Sequence, residues 1–197
     1  EIYGGYNFCG GKNVGTSRLL GFDQVRVLEL RAELDRMYVD LVDLEISGGN
    51  RTFDVGGNEG GGIAAYGGVT LDARFVQLTN NVAHTGGGLY AVPAAGLSPT
   101  VRFRDSEISH NRAVEHPLHA LNHGGGIYYR SVDDGVQYTD LVYLLDTDVV
   151  DNSARGSGGW SPRPGGVVAR IIDRPTHAAD PMRSRRISER PRCPAPG

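Results

Sequence analysis

At 197 residues the chain is long enough for one domain with a sizeable core, yet its 29 glycines, about 15% against a usual ~7%, argue against a mainly helical protein. Each interior Gly costs a helix roughly 0.5 to 1 kcal/mol relative to Ala, whereas turn-rich β structure accommodates it. Twenty basic against 23 acidic residues leave no global field to draw in nucleic acid or an anionic membrane surface, and no apolar run approaches the ~18 residues that span a bilayer.

Glu1 to Tyr6 reads as a strand and a glycine turn, the start of a mature chain or of a fragment of a longer one. Residues 1–38 form an irregular opening with a strand at Val25 to Leu30. A repeat follows over residues 39–170. Its first copy alternates Val39, Leu41, Leu44 and Ile46 and ends in Gly48-Gly49. The next carries Val69, Leu71, Val76 and Leu78 into Asn81-x-Ala83, the third Val101, Phe103 and Ile108 into Asn111-x-Ala113, and the fourth Val142, Leu144 and Val149 into Asn152-x-Ala154. This is strand periodicity, with a break that predicts two short strands meeting at a bend.

Glycine clusters punctuate the copies: Gly60-Gly61-Gly62, Gly86-Gly87-Gly88, Gly124-Gly125-Gly126 and the weaker Gly158-Gly159 before Trp160. They recur 26, 38 and 34 residues apart, as expected of short coils lengthened by loops. A coil of this size cannot bury its own apolar face. Stacking the coils about 4.8 Å apart joins the inward Val, Leu and Ile into one column, which predicts an all-β parallel β-helix. Glycines permit positive φ and close packing at corners. Turn asparagines tolerate the left-handed region, so Asn81, Asn111 and Asn152 are expected to form an internal ladder. Beyond residue 170 the composition shifts to Arg and Pro with scarcely any apolar run, which predicts a disordered tail over 171–197. Cys9 and Cys193 form neither a disulfide framework nor a metal site by spacing, and a single bridge between them stays open.

The segment Leu78-x-x-Asn81-x-Ala83-x-x-Gly86-Gly87-Gly88-Leu89-Tyr90 resembles the repeat of the polymorphic outer-membrane protein family, autotransporter passengers built from FxxN and GGA[IL] motifs. It is similar, more broadly, to bacterial surface proteins with right-handed parallel β-helix repeats. The resemblance implies a right-handed, single-stranded β-helix, secretion or display at the outer membrane, and adhesion as the role. In such families the motif residues serve the fold.

Function is then left to the loops. Ala91 to Thr100 and Tyr129 to Asp140 follow equivalent strands and should project from one side, and Arg112 to His123 is a third enlarged connection. His110, His116, His119 and His123 crowd this third region and could wrap zinc, while Asp133, Asp134 and Asp140 could hold calcium, although no cofactor is required. Glu107 and Asp148 occupy equivalent places on successive coils and are the best candidates for paired catalytic carboxylates. Tyr90, Tyr128, Tyr129 and Trp160 suggest an aromatic strip for a sugar or a protein, with Asp133 and Asp134 beside it. The favoured expectation is a non-enzymatic protein recognising a glycan or protein on a host or neighbouring cell. The alternatives are a polysaccharide lyase or hydrolase on the same fold, and an appendage or phage fibre component.

Overall fold

The computed structural model of the chain describes residues 2–4, 15–52, 58–115, 123–130, 142–154 and 170–171. Within them the protein is all-β, and every pairing between its strands is parallel. In chain order the strands are β1 (Ile2–Tyr3), β2 (Ser17–Leu20), β3 (Leu28–Ser47), β4 (Ile63–Thr79), β5 (Val82–Ala83), β6 (Leu89–Val92) and β7 (Thr100–Arg104). They continue as β8 (Glu107–Ser109), β9 (Arg112–Ala113), β10 (Ile127–Tyr129), β11 (Val142–Leu145), β12 (Asp148–Val150), β13 (Ser153–Ala154) and β14 (Arg170–Ile171). One sheet runs β1-β3-β4-β7-β11-β14 with the remaining partners branching from it, and a second, smaller sheet is ordered β13-β9-β5.

The register explains the order. Each copy of the sequence repeat lies beside the next, so equivalent residues line up in files across the strands. One file is Leu28, Ile63, Leu89 and Ile127, a second is Leu41, Ala73, Phe103 and Leu144, and a third is Ile46, Leu78, Ile108 and Val149. These positions supply most of the core, with Leu41, Ile46, Ile63, Leu71, Leu78, Leu89, Phe103 and Ile108 wholly buried. Each such side chain contributes roughly 1.5 to 3 kcal/mol by leaving water. The regular register also reaches closer to the N terminus than residue 39: Leu28 to Ala32 pairs with Ile63 to Gly67, and β2 pairs with the far end of β3.

Corners have files of their own. Asp43, Phe75, Asp105 and Asp146 all adopt left-handed backbone, with φ of 54, 55, 47 and 47°. Gly48, Asn80, His110 and Asp151 do the same at the next corner, and Gly60, Gly86 and Gly124 at the one after. Asn, Asp and Gly pay least for this conformation, which is why they dominate there. Close approach is a separate demand. A Cβ on Gly87 would lie 2.5 Å from the Arg112 carbonyl oxygen and 2.6 Å from that of Gly125, so two backbones of neighbouring copies leave no room for a side chain.

Candidate functional site

The three repeat asparagines are joined by their side chains. Asn81 donates from Nδ2 to Asn111 Oδ1 at 2.9 Å, and Asn111 donates from Nδ2 to Asn152 Oδ1 at 3.0 Å. Each amide also donates to a carbonyl of the preceding copy: Asn81 to Ile46, Asn111 to Leu78 and Asn152 to Ile108, at 3.0, 2.8 and 2.7 Å. The Oδ1 atoms also accept backbone N–H groups, from Gly49 on Asn81, from Asn81 on Asn111 and from Asn111 on Asn152. Asn81 and Asn111 are wholly buried, so every polar atom of these side chains is used within the protein. The glycine triplets belong to the same arrangement, because a Cβ on Gly88 would sit 2.9 Å from Asn111 Cγ.

Tyr90 and Tyr128 lie in register, with ring centroids 5.3 Å apart and planes at 9°. Tyr66 meets Tyr90 edge-on at 5.9 Å, His123 stacks on Tyr128 at 6.1 Å, and the Arg31 guanidinium covers the Tyr66 ring at 4.2 Å. Burial raises the Tyr90 hydroxyl above its ordinary range, with Glu59 adding to the effect. Ring faces are therefore turned toward each other or toward Arg31. A sugar that stacks on an aromatic needs an open face, and this strip presents mainly edges and hydroxyls. Tyr129 points the other way. It packs against the core, donates its hydroxyl proton to the Pro99 carbonyl at 2.9 Å, and burial raises its pKa.

Glu107 and Asp148 are direct partners in the β8–β12 register, within the file Arg18, Glu45, Gln77, Glu107, Asp148. Glu107 is half-buried and Asp148 exposed. At the front of the same file Arg18 holds Glu45 with Nε 2.8 Å from Oε2, which draws the Glu45 carboxyl below its ordinary range. His110 sits 3.7 Å from Asp151 at an exposed corner, whereas His123 is buried against Tyr128, so these two do not converge. Among the described residues no three His, Cys, Asp or Glu side chains come together as a metal would require. His116, His119, Asp133, Asp134, Asp140, Trp160, Cys9 and Cys193 lie outside the described residues.

Two connections vary in length between copies: the one from the asparagine to the glycine triplet, 5 residues from Asn81 to Gly86 and 13 from Asn111 to Gly124, and the corner that follows the next strand. Ala32 pairs with Gly67 and Met37 pairs with Val69, so residues 33–36 of the first of these two copies stand where Gly68 alone closes the same corner in the second. The third copy leaves its strand after Val92 and returns at Thr100, and the fourth leaves after Tyr129 and returns at Val142. Insertions of different lengths thus emerge between the same two files. Leu34, at the tip of the first, is 92% exposed, and Leu97 of the third lies over Gly68. The loop expected over Ala91 to Thr100 falls at this corner, whereas residues 33–36 lie in the stretch 1–38 whose sequence reads as irregular. In comparisons with protein-family models, with curated proteins and with solved structures, nothing matches this chain.

Proposed function

We propose that the stacked copies form a right-handed, single-stranded parallel β-helix, and that the protein acts at or beyond the cell surface as a non-enzymatic scaffold whose loops recognise a glycan or protein on another cell. The observation that carries this reading is the variable corner. The strand register is kept from copy to copy while the connections at this corner, and the one from the asparagine to the glycine triplet (5 residues from Asn81 to Gly86, 13 from Asn111 to Gly124), differ in length, as expected where a repeat protein keeps its framework and diversifies its loops. The buried asparagine ladder and the glycine contacts favour the same reading, because they commit the most distinctive residues to the framework.

The test is loop removal. Residues 93–98 are replaced by Gly-Gly, the solution the second copy already uses, and residues 33–36 by a single Gly, singly and together. Labelled wild-type and trimmed proteins are then compared on a printed array of neutral and uronate-containing oligosaccharides and on whole bacterial and epithelial cells. Wild-type binding that is lost on trimming, with the strand signal in circular dichroism unchanged, is the expected result. Trimmed protein that binds as well as wild type would refute the assignment of recognition to this corner.

A further inference from the structure

We infer, resting on the recognition role proposed above, that the outer face of β4 and β7 between the variable corner and Phe75 binds an acidic glycan. Phe75 is the platform for a sugar ring, and Arg74, Arg102 and Arg104 hold the carboxylates. Val69, Leu71 and Ala73 of β4 and Val101 and Phe103 of β7 turn inward and are wholly buried, so Thr70, Asp72 and Arg74 alternate outward beside Thr100, Arg102 and Arg104. Arg74 and Arg104 are direct register partners, and Arg102 stands across from Asp72. Three cationic side chains thus spring from two strands about 4.8 Å apart. Like charges placed opposite each other cost stability. The chain as a whole carries a formal charge of −3, so this local excess is not the overflow of a basic composition.

Phe75 adds an aromatic group at the end of this face. In its corner file the other copies place Asp43, Asp105 and Asp146, all in left-handed backbone, and aspartate takes that conformation at less cost than phenylalanine. Phe75 adopts it at φ 55° and still leaves 54% of its surface in water. Neither backbone preference nor burial accounts for an aromatic here, directly after Arg74, and strain of this kind persists where a site needs it. A sugar acid suits the pair, because its apolar ring face stacks on the phenyl group while its carboxylate meets the forked guanidinium. The face already holds one carboxylate: Asp72 Oδ2 accepts from Arg104 Nη2 at 3.2 Å, with the arginine side chain 44% exposed. A glycan carboxylate takes the place of Asp72 at Arg104. A protein partner is less well served, since the core of a protein interface is depleted in charge and the outward positions of β4 and β7 from Thr70 to Arg74 and Thr100 to Arg104 are all hydroxyl or charged groups.

Biolayer interferometry on the full chain at neutral pH and low salt tests this, with biotinylated polygalacturonate oligomers as the probe and dextran as the neutral control. Wild type is expected to bind polygalacturonate and not dextran, and more weakly as salt rises. Arg102→Gln and Arg104→Gln should each weaken binding about fivefold or more. Arg112→Gln, the same loss of charge at an exposed position of the second sheet, should change it less than about twofold. Two further variants separate recognition from damage to the fold. Phe75→Asn, which suits the left-handed corner, should weaken binding about fivefold or more in a protein no less stable than wild type. Asp72→Asn, which releases Arg104, should tighten binding about twofold or more. No binding to polygalacturonate overturns the inference, as does Phe75→Asn binding as tightly as wild type, Asp72→Asn binding more weakly, or a single-stranded oligonucleotide bound as well as the sugar. Dextran or whole cells bound by wild type and lost on loop trimming, with polygalacturonate ignored, would overturn the acidic glycan alone and leave recognition at the corner standing.

Discussion

Replacing Asn111 by Ala tests the asparagine ladder at its most enclosed rung. The change removes four hydrogen bonds: Oδ1 accepts from the Asn81 backbone N–H at 3.1 Å and from Asn81 Nδ2 at 2.9 Å, and Nδ2 donates to Leu78 O at 2.8 Å and to Asn152 Oδ1 at 3.0 Å. Two of the partners keep a second bond, Asn81 Nδ2 to Ile46 O and Asn152 Oδ1 from the Asn111 backbone N–H. The Asn81 N–H loses its acceptor in a site where Asn81 is wholly buried, and the Leu78 carbonyl loses one of its donors. At roughly 1 to 3 kcal/mol for the buried group left unpaired and about 0.5 to 1 kcal/mol for each of the other three bonds, the variant should lose about 3 to 5 kcal/mol, a large share of a typical folding free energy of about 5 to 15 kcal/mol. Asn152→Ala, at a half-buried rung that water reaches, should lose only about 1 to 2 kcal/mol. Urea unfolding at neutral pH, followed by far-ultraviolet circular dichroism, measures both. An Asn111→Ala loss below about 1 kcal/mol, or one no larger than that of Asn152→Ala, refutes the reasoning.

Gly87→Ala should cost at least about 3 kcal/mol in the same assay, because its Cβ would meet only backbone of neighbouring copies. Gly96→Ala, with nothing within 4 Å but a φ of +78°, should cost only about 1 to 2 kcal/mol; equal losses would mean that close packing is not the constraint at Gly87. Phe75 is 54% exposed and held at φ 55°, so Phe75→Asn should raise stability by about 0.5 to 1 kcal/mol, and an unchanged or lowered unfolding midpoint would contradict this. The hydrogen bond from Arg18, aided by Ser47 and opposed by burial, keeps Glu45 below its ordinary pKa. Its stabilising effect is therefore complete above the unfolded carboxylate pKa of ~4.3 and is lost as pH falls from there through the lower folded value. Wild type should lose its stability advantage over Glu45→Gln in that window, and a difference that stays constant from pH 7 to pH 3 counts against the pairing.

Much of the architecture was legible because period-two alternation and the spacing of Asn to Ala are both direct records of which residues face inward. Ile108 and Val149, aligned three residues before their asparagines, are register partners, as are Ala113 and Ala154 after them. Alternation identifies the face of a strand but not its neighbour. Val39 therefore pairs with Leu71, and Met37 takes Val69, because the insertion at 33–36 and the short Gly67-Gly68 corner change the lengths of the two copies. The strand expected at Val25 to Leu30 overlaps Leu28 to Ala32, but its place in the repeat register was not legible, since no glycine triplet precedes it and the insertion interrupts its pattern. In the candidate site, equivalent glycines before Tyr90 and Tyr128 implied a stacked pair, but a tyrosine beside them alternates inward, so Tyr129 leaves the strip. Nothing in the sequence marks Phe75 as left-handed; only its place between Asp43 and Asp105 in the corner file does.

The asparagine ladder also has a direction. Every side-chain amide from Asn81 onward donates to the oxygen of the next asparagine along the chain, so the bond dipoles align and reinforce one another toward Asn152. The terminal rung receives this polarisation without an asparagine beyond it among the described residues, and Val149 and Val150 next to it are partly open to water. The copies should accordingly open in sequence from that rung, while the rung at Asn81 stays closed longest. Native-state hydrogen exchange would record this as slow amide exchange at Asn81, faster exchange at Asn111 and the fastest of the three at Asn152.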